Sequence, residues 1–167
     1  MSRRFASVSA FRLLSRARRR QTGVGMIEVL IAVLVLSIGF LGIAALQARS
    51  LSTNNSAMAR SMATVASYSI LDAMRADLAN AEAGAYNTPA GSPITANACP
   101  AAGATLASVQ LNAWCTQLGA ALGATASTTG AIDCGGTGIC KIVITFDDSR
   151  AGVGGSAIQT FTTEAQL

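Results

Sequence analysis

One stretch of this chain decides its fold. Residues 23–46 read GVGMIEVLIAVLVLSIGFLGIAAL, an apolar sequence with a single charged side chain, Glu28. The 18 residues from Val29 to Leu46 carry no charge, and as a helix they extend about 27 Å. Because the hydrocarbon core of a bilayer is about 30 Å thick, this stretch predicts a helix that spans a membrane once.

The charges of the chain divide around this stretch. Of the 12 basic side chains, seven arginines precede residue 24, whereas the remainder carries five basic and eight acidic groups. Since cationic flanks stay in the cytoplasm, we expect the N-terminal segment to be cytoplasmic and the residues after Leu46 to lie outside. The acidic excess of that outer part argues against nucleic-acid binding, which needs a basic surface.

An apolar helix near an N-terminus is also found in secretory signal peptides and in uncleaved membrane anchors. A signal peptide has an apolar core of about 7–15 residues, which is shorter than the run found here. An uncleaved anchor fits the length but leaves Glu28 unexplained. An ionisable group inside a membrane costs free energy and is by default a functional candidate that needs a cationic partner.

The sequence GVGMIEVL, residues 23–30, resembles the class III signal of type IV prepilins. In that family a dedicated peptidase cuts after a glycine on the cytoplasmic side and methylates the new N-terminal amine, and a glutamate stands fifth in the processed chain. The resemblance implies cleavage between Gly23 and Val24, N-methylation of Val24, and pairing of the Glu28 carboxylate with a neighbouring subunit's amine. A cut after Gly25 is the alternative, but it would make Glu28 the third residue.

Helix-forming sequence continues beyond the apolar stretch, because no proline occurs between residues 24 and 88. Gly39 and Gly42 indicate either a segment that unwinds on assembly or close helix contact. Apolar residues mark two helical faces more than 90° apart, namely Leu51, Met58, Met62 and Val65 on one and Ile70, Leu71, Met74 and Leu78 on the other. This change of face predicts a helix whose first part meets other subunits and whose second part packs on a sheet. The alternative is a slight bend near residues 67–69.

The outer part of the chain has the pattern of a small α+β domain. Residues 83–132 carry no charge, and all three prolines lie in a loop-like stretch, 84–103. The predicted elements are a helix over 106–122, a Gly/Thr/Ser-rich loop over 119–138, and strands over 139–146 and 157–163. Asp147 and Asp148 fall between the two strands, where a turn-forming acidic pair is expected.

Two further segments sharpen the resemblance. ILDAMRAD at 70–77, followed by GAY at 84–86, is similar to PilV-type minor pilins, the type IV pilus modification proteins, as are the helix around Trp114 and the closing strand at 158–167. The resemblance implies a type IV pilin-like α+β fold in which a long N-terminal helix, half transmembrane and half amphipathic, packs on a small antiparallel sheet. Asp72 and Arg75 have the spacing of a helix-surface ion pair.

The four cysteines, Cys99, Cys115, Cys134 and Cys140, all follow the membrane stretch. An even number of cysteines outside the cytoplasm predicts disulfides. Proximity favours pairing the first with the second and the third with the fourth, although two other connectivities exist. A zinc site is disfavoured, because the chain has no histidine and no C-x-x-C pair.

These observations predict four segments: a cleaved basic leader (1–23), a transmembrane or filament-core helix (24–46), its amphipathic continuation (47–82), and a disulfide-bonded globular domain (83–167). No catalytic constellation or cofactor motif is recognisable. The resemblance implies a non-enzymatic minor pilin that starts out in the inner membrane, helps to initiate pilus assembly, and supports twitching motility and adhesion.

The implied partners are the prepilin peptidase, the major pilin, other minor pilins and a large tip adhesin. A type II secretion pseudopilin and an uncleaved, membrane-anchored periplasmic domain are the alternatives.

Overall fold

The computed structural model of the chain describes residues 23, 25–89, 91–135, 138–149 and 155–167. The elements are α1 (Met26–Ala76), α2 (Leu78–Glu82), β1 (Ile94–Thr95), α3 (Leu106–Leu122), β2 (Thr129–Cys134), β3 (Ile139–Phe146) and β4 (Gln159–Gln166). A long N-terminal helix followed by a small antiparallel sheet confirms the predicted α+β, pilin-like class. The arginine-rich segment and Val24 lie outside the described residues.

The chain forms two compact units, Met1–Leu41 and Gly42–Leu167. In the first unit, the only described element is the beginning of α1, whose side chains are all exposed. The second unit holds the rest of α1 and every other element, and it contains the hydrophobic core. Helix α1 runs without interruption through Gly39 and Gly42.

The sheet has the order β1-β2-β3-β4, and each strand is antiparallel to its neighbours. Alternate residues of β3 are buried on one face, as period-2 patterning requires. The buried positions of β2 and β3 are Ile132, Cys134, Cys140, Ile142, Ile144 and Phe146. This face forms the sheet side of the core.

The second half of α1 supplies the opposite wall, and it does so with the second of its two apolar faces. Ile70, Leu71 and Met74 are at most 1% exposed, and the Met74 Sδ lies 3.8 Å from the Cys134 Sγ on β2. Leu51 on the first face is 65% exposed. Of the two predicted faces, only the second is buried in the described structure, and Leu78, at 42% exposed, is not part of its stripe. That the first face meets other subunits stays a prediction.

Helix α1 ends at Ala76, because Asp77 leaves helical geometry with φ −128° and ψ 48°. The Asp77 carboxylate accepts hydrogen bonds from Asn80 Nδ2 at 2.7 Å and from Tyr86 Oη at 3.1 Å. Such local bonds compete with the helical ladder. The helix predicted to continue to residue 82 is thus divided into α1 and the short α2.

Helix α3 has the predicted bounds, and Thr105 caps its N-terminus by accepting from the Ser108 amide at 3.2 Å. Its Trp114 is 2% exposed and donates from Nε1 to the Ala66 carbonyl of α1 at 2.9 Å. The same ring packs against Gly130 of β2. Trp114 therefore joins α1 and α3 to the sheet.

Two strands lie where the sequence predicted loops. Strand β2 falls inside the stretch 119–138, and β1 inside 84–103. Strand β1 is only two residues long, and β2 contains Gly, Ala and Asp, which are depleted in strands. Gly130 is nevertheless required in β2, because the Trp114 ring occupies the space of a side chain. The predicted closing strand is displaced, since β4 begins at Gln159 and continues to Gln166.

Candidate functional site

The N-terminal site is built around the first turn of α1. The Gly25 carbonyl accepts from the Glu28 amide at 2.9 Å and from the Val29 amide at 3.3 Å, which starts the helical ladder. Glu28 therefore lies in the first turn, where the positive end of the helix dipole favours a carboxylate. Its side chain is exposed. The geometry presents this carboxylate outward at the head of the apolar helix.

No cation within the described part of the chain pairs with Glu28. The two ion pairs found there join Arg75 to Asp72 and Lys141 to Glu164. The first confirms the helix-surface pair expected from the sequence, with Arg75 Nη1 at 3.1 Å from Asp72 Oδ1. A carboxylate at the head of an apolar helix needs a positive partner when it leaves water. None of the described cations is positioned to be that partner for Glu28.

The helix behind Glu28 exposes its apolar side chains in every direction. From Met26 to Leu46 the large hydrophobic residues are 51% to 87% exposed. The best 18-residue window has a mean hydropathy of 2.9, and none of it is buried. A helix that is apolar all round is covered by lipid or by protein. This segment therefore fits membrane anchoring.

The two candidate cleavage glycines are not required by packing inside the described chain. A Cβ built at Gly23 would have no described atom within 4 Å, and one at Gly25 would meet only Ile27 Cγ2, at 4.0 Å. Among the described atoms, packing therefore does not require glycine at either position.

The residues of the second resemblance, 70–77 and 84–86, meet at the end of α1. Tyr86 is fully buried and donates its hydroxyl to Asp77 Oδ2. Burial raises the pKa of Tyr86 to about 12, and the hydrogen bond to Asp77 and its negative charge act in the same direction. Gly84 makes the turn before Tyr86 with a φ of +81°, which favours glycine. The Tyr86 hydroxyl and the Asp77 carboxylate bond to each other, so we assign this junction a role in holding the fold together.

Two disulfides close the outer domain. Cys99 bonds to Cys115 and ties the segment after β1 to α3; we call this the helix disulfide. Cys134 bonds to Cys140 across β2 and β3; we call this the hairpin disulfide. Both are the pairs that proximity in sequence favours. Among the described residues, no group of three His, Cys, Asp or Glu side chains could hold a metal ion.

The acidic pair between β3 and β4 has two different roles. Asp147 forms the expected turn by accepting from the Ser149 amide at 2.8 Å. Asp148 is only 6% exposed and accepts a hydrogen bond from the Ser56 hydroxyl of α1. Sequence reasoning missed this second contact, because 92 residues separate the partners. It fastens the β3–β4 connection to the helix.

Comparison with known proteins identifies one motif. Residues 18–44 match the family description "Prokaryotic N-terminal methylation motif". The match contains Gly23 and Glu28 together with most of the exposed apolar helix. No curated protein and no solved structure matches the chain. The motif supports a prepilin-like class III signal, and with it a type IV pilin or pseudopilin in general.

Proposed function

We propose that this protein is a minor pilin of the PilV type, a structural and non-enzymatic subunit of a bacterial type IV pilus. One observation carries the proposal. An N-terminal methylation motif heads a helix whose large apolar side chains from Met26 to Leu46 are more than half exposed, and that helix leads into a small disulfide-bonded α+β domain. A filament subunit needs both parts, since the helix is buried on assembly and the domain faces outward.

The proposed life cycle begins in the inner membrane. The N-terminus is cytoplasmic and the outer domain periplasmic, in agreement with the arginine-rich flank. The prepilin peptidase removes residues 1–23 and methylates the amine of Val24. The subunit then assembles with the major pilin, other minor pilins and a large tip adhesin. It helps to initiate the filament near its tip, and it supports twitching motility and adhesion.

Glu28 is the residue on which assembly depends in this proposal. Cleavage after Gly23 frees an amine four residues before Glu28, and a neighbouring subunit's amine is the positive partner that this carboxylate requires. In an apolar filament core, either charge alone would cost several kcal/mol. In this proposal the pair forms between subunits, which makes it a requirement for entry into the filament.

A type II secretion pseudopilin is the second candidate, because the methylation motif serves pilins and pseudopilins alike. The pilus assignment draws its support from the segments 70–77 and 84–86, which resemble minor pilins and build the junction between Asp77 and Tyr86. Deleting the gene and measuring both processes separates the candidates. Loss of twitching with normal secretion supports the minor pilin, whereas the reverse supports the pseudopilin.

Processing is tested by the intact mass of the full chain, expressed with and without a prepilin peptidase. We expect loss of residues 1–23 and gain of one methyl group only with the enzyme. Gly23→Ala should abolish the cut. Gly25→Ala is the matched control that keeps it, because a Cβ at Gly25 meets no described atom closer than Ile27 Cγ2, at 4.0 Å. An uncut wild-type chain would support only the uncleaved membrane anchor. If Gly25→Ala stayed uncut while Gly23→Ala was cut, the cleavage site would lie after Gly25.

Assembly is tested by replacing Glu28 with its neutral isostere. Glu28→Gln should be cut and methylated normally but absent from sheared pili. Glu82→Gln is the control, because Glu82 is an exposed glutamate at the end of α2 and has no part in the proposed pairing. Wild-type amounts of Glu28→Gln in purified filaments would contradict the pairing with a neighbouring amine.

A further inference from the structure

The two edges of the sheet differ in length. At one edge β1 has two residues, and at the other β4 has eight. Proteins usually protect a long edge with charged side chains (lysine above all), proline, bulges or a covering segment. The β4 sequence QTFTTEAQ contains no lysine, proline or glycine, and Glu164 is its one charge. It is a regular strand, rich in β-branched threonine, and no described strand pairs with its other side.

The register shows which backbone groups face this free side. The Leu167 amide donates to the Gly138 carbonyl at 3.0 Å, so odd-numbered residues of β4 bond to β3, as the alternation of an antiparallel pair requires. The even-numbered residues direct their N–H and C=O groups away from the sheet. Of these groups, only the Gln166 carbonyl has a described partner, Arg75 Nη2 at 3.3 Å. Thr160, Thr162 and Glu164 are exposed.

Charges on the outer face of the sheet alternate along one row that ends at this edge. Asp133 on β2 pairs in register with Lys141 on β3, and Lys141 pairs with Glu164 on β4. The Lys141 Nζ lies 3.7 Å from Glu164 Oε1. The row therefore runs negative, positive, negative. The next strand in that row would best carry a positive charge, since opposite charges on adjacent strands attract.

The core face of β4 is only partly covered. Phe161 and Ala165 are only partly buried, although they pack against the hydrophobic core. Apolar residues on an added strand would cover these side chains on their open side. The edge is thus matched to a strand that is apolar at alternate positions on the core face and polar on the outer face.

We propose that the β4 edge binds an extended segment of another protein by strand addition. The segment alternates apolar and polar residues, and it carries a lysine or arginine beside Glu164. No described strand of a second copy fits, because β2 and β3 are paired on both sides, β1 is too short, and β4 has no basic residue. This inference does not require a filament, and its test does not use one.

The test uses the full chain in detergent micelles and two synthetic seven-residue peptides. In both, valine alternates with threonine, and the central polar residue is lysine in one and glutamate in the other. The lysine peptide should slow hydrogen exchange at the amides of Thr160, Thr162 and Glu164. It should bind roughly three to ten times more tightly than the glutamate peptide. Glu164→Lys should reverse this preference.

A second variant tests the backbone contact. Thr162→Pro removes an N–H that points to the free edge, so it leaves the bonds to β3 intact; it should weaken binding at least tenfold, whereas Thr162→Ser should not. The fluorescence of Trp114, the only tryptophan, reports that each variant is folded.

Three results would overturn the proposal: edge amides already protected in the free chain, equal binding of the two peptides, or protection that rises with protein concentration alone.

Discussion

Gly130 of β2 offers the sharpest test of how the outer domain is held together. A Cβ at this position would lie 2.7 Å from Trp114 Cζ3 and 2.8 Å from Leu118 Cδ1, and closer still to Trp114 Cη2. Carbon atoms in contact normally lie about 3.5–4.0 Å apart. The indole cannot simply rotate away, because its Nε1 is bonded to the Ala66 carbonyl at 2.9 Å. Gly130→Ala therefore forces the ring or the strand to move.

The expected loss of stability follows from three contributions. Overpacking a core costs about 1–3 kcal/mol, and weakening the indole hydrogen bond costs about 0.5–1.5 kcal/mol. Replacing a strand glycine by alanine offsets about 0.5–1 kcal/mol through backbone entropy. The net effect is about 2 kcal/mol, which lowers the folded-to-unfolded ratio roughly thirtyfold.

The assay is amide hydrogen exchange of the β2–β3 ladder in the full chain, in detergent micelles and with both disulfides oxidised. The same substitution is also made together with Trp114→Leu, which removes the obstructing ring. We expect the cost of Gly130→Ala to fall by at least 1 kcal/mol in that background, as a double-mutant cycle measures. Equal costs in both backgrounds, or no cost in the wild-type background, would refute the packing argument.

Other contacts in the outer domain give further expectations. Because the folded chain holds the Tyr86 proton up to a pKa of about 12, the free energy of unfolding should fall between about pH 10 and 12; urea titrations should show that Tyr86→Phe flattens this fall. Replacing both cysteines of the helix disulfide by serine (sequence separation 16) should lower the free energy of unfolding by about 3 kcal/mol. The same change at the hairpin disulfide (sequence separation 6) should lower it by about 2 kcal/mol. Ser56→Ala should cost about 1–3 kcal/mol by leaving the buried Asp148 carboxylate unpaired, whereas Ser61→Ala, which loses only a bond within its own helix, should cost little.

The elements that the sequence predicts well are those in which one residue pattern determines one structure. Helix α3 has a Thr cap and a continuous helical composition, and its predicted bounds are confirmed. Strand β3 alternates isoleucine with other residues, and its predicted bounds are confirmed as well. In both cases the local pattern agrees with the tertiary packing, so no distant contact is needed to identify the element.

The features that the sequence does not predict depend on distant partners. Gly130 suggests a loop until the Trp114 ring is known to lie against it. Asp148 suggests a solvated turn until Ser56 is found beside it. Helix α1 breaks at Asp77 because Tyr86, nine residues later, bonds to that carboxylate. Composition and spacing report local preferences, whereas these three outcomes are set by tertiary contacts that outweigh them.

The apolar part of α1 cannot remain exposed to water at an acceptable cost in free energy. Fourteen large hydrophobic side chains between Met26 and Leu46 are more than half exposed, and leaving each one uncovered costs about 1.5–3 kcal/mol. The sum, on the order of 20 kcal/mol or more, exceeds the stability of an ordinary domain. Lipid or other helices must therefore cover this segment. In either environment Glu28 is its one charge, and the proposed pairing with a neighbouring subunit's amine is what would neutralise it in a filament.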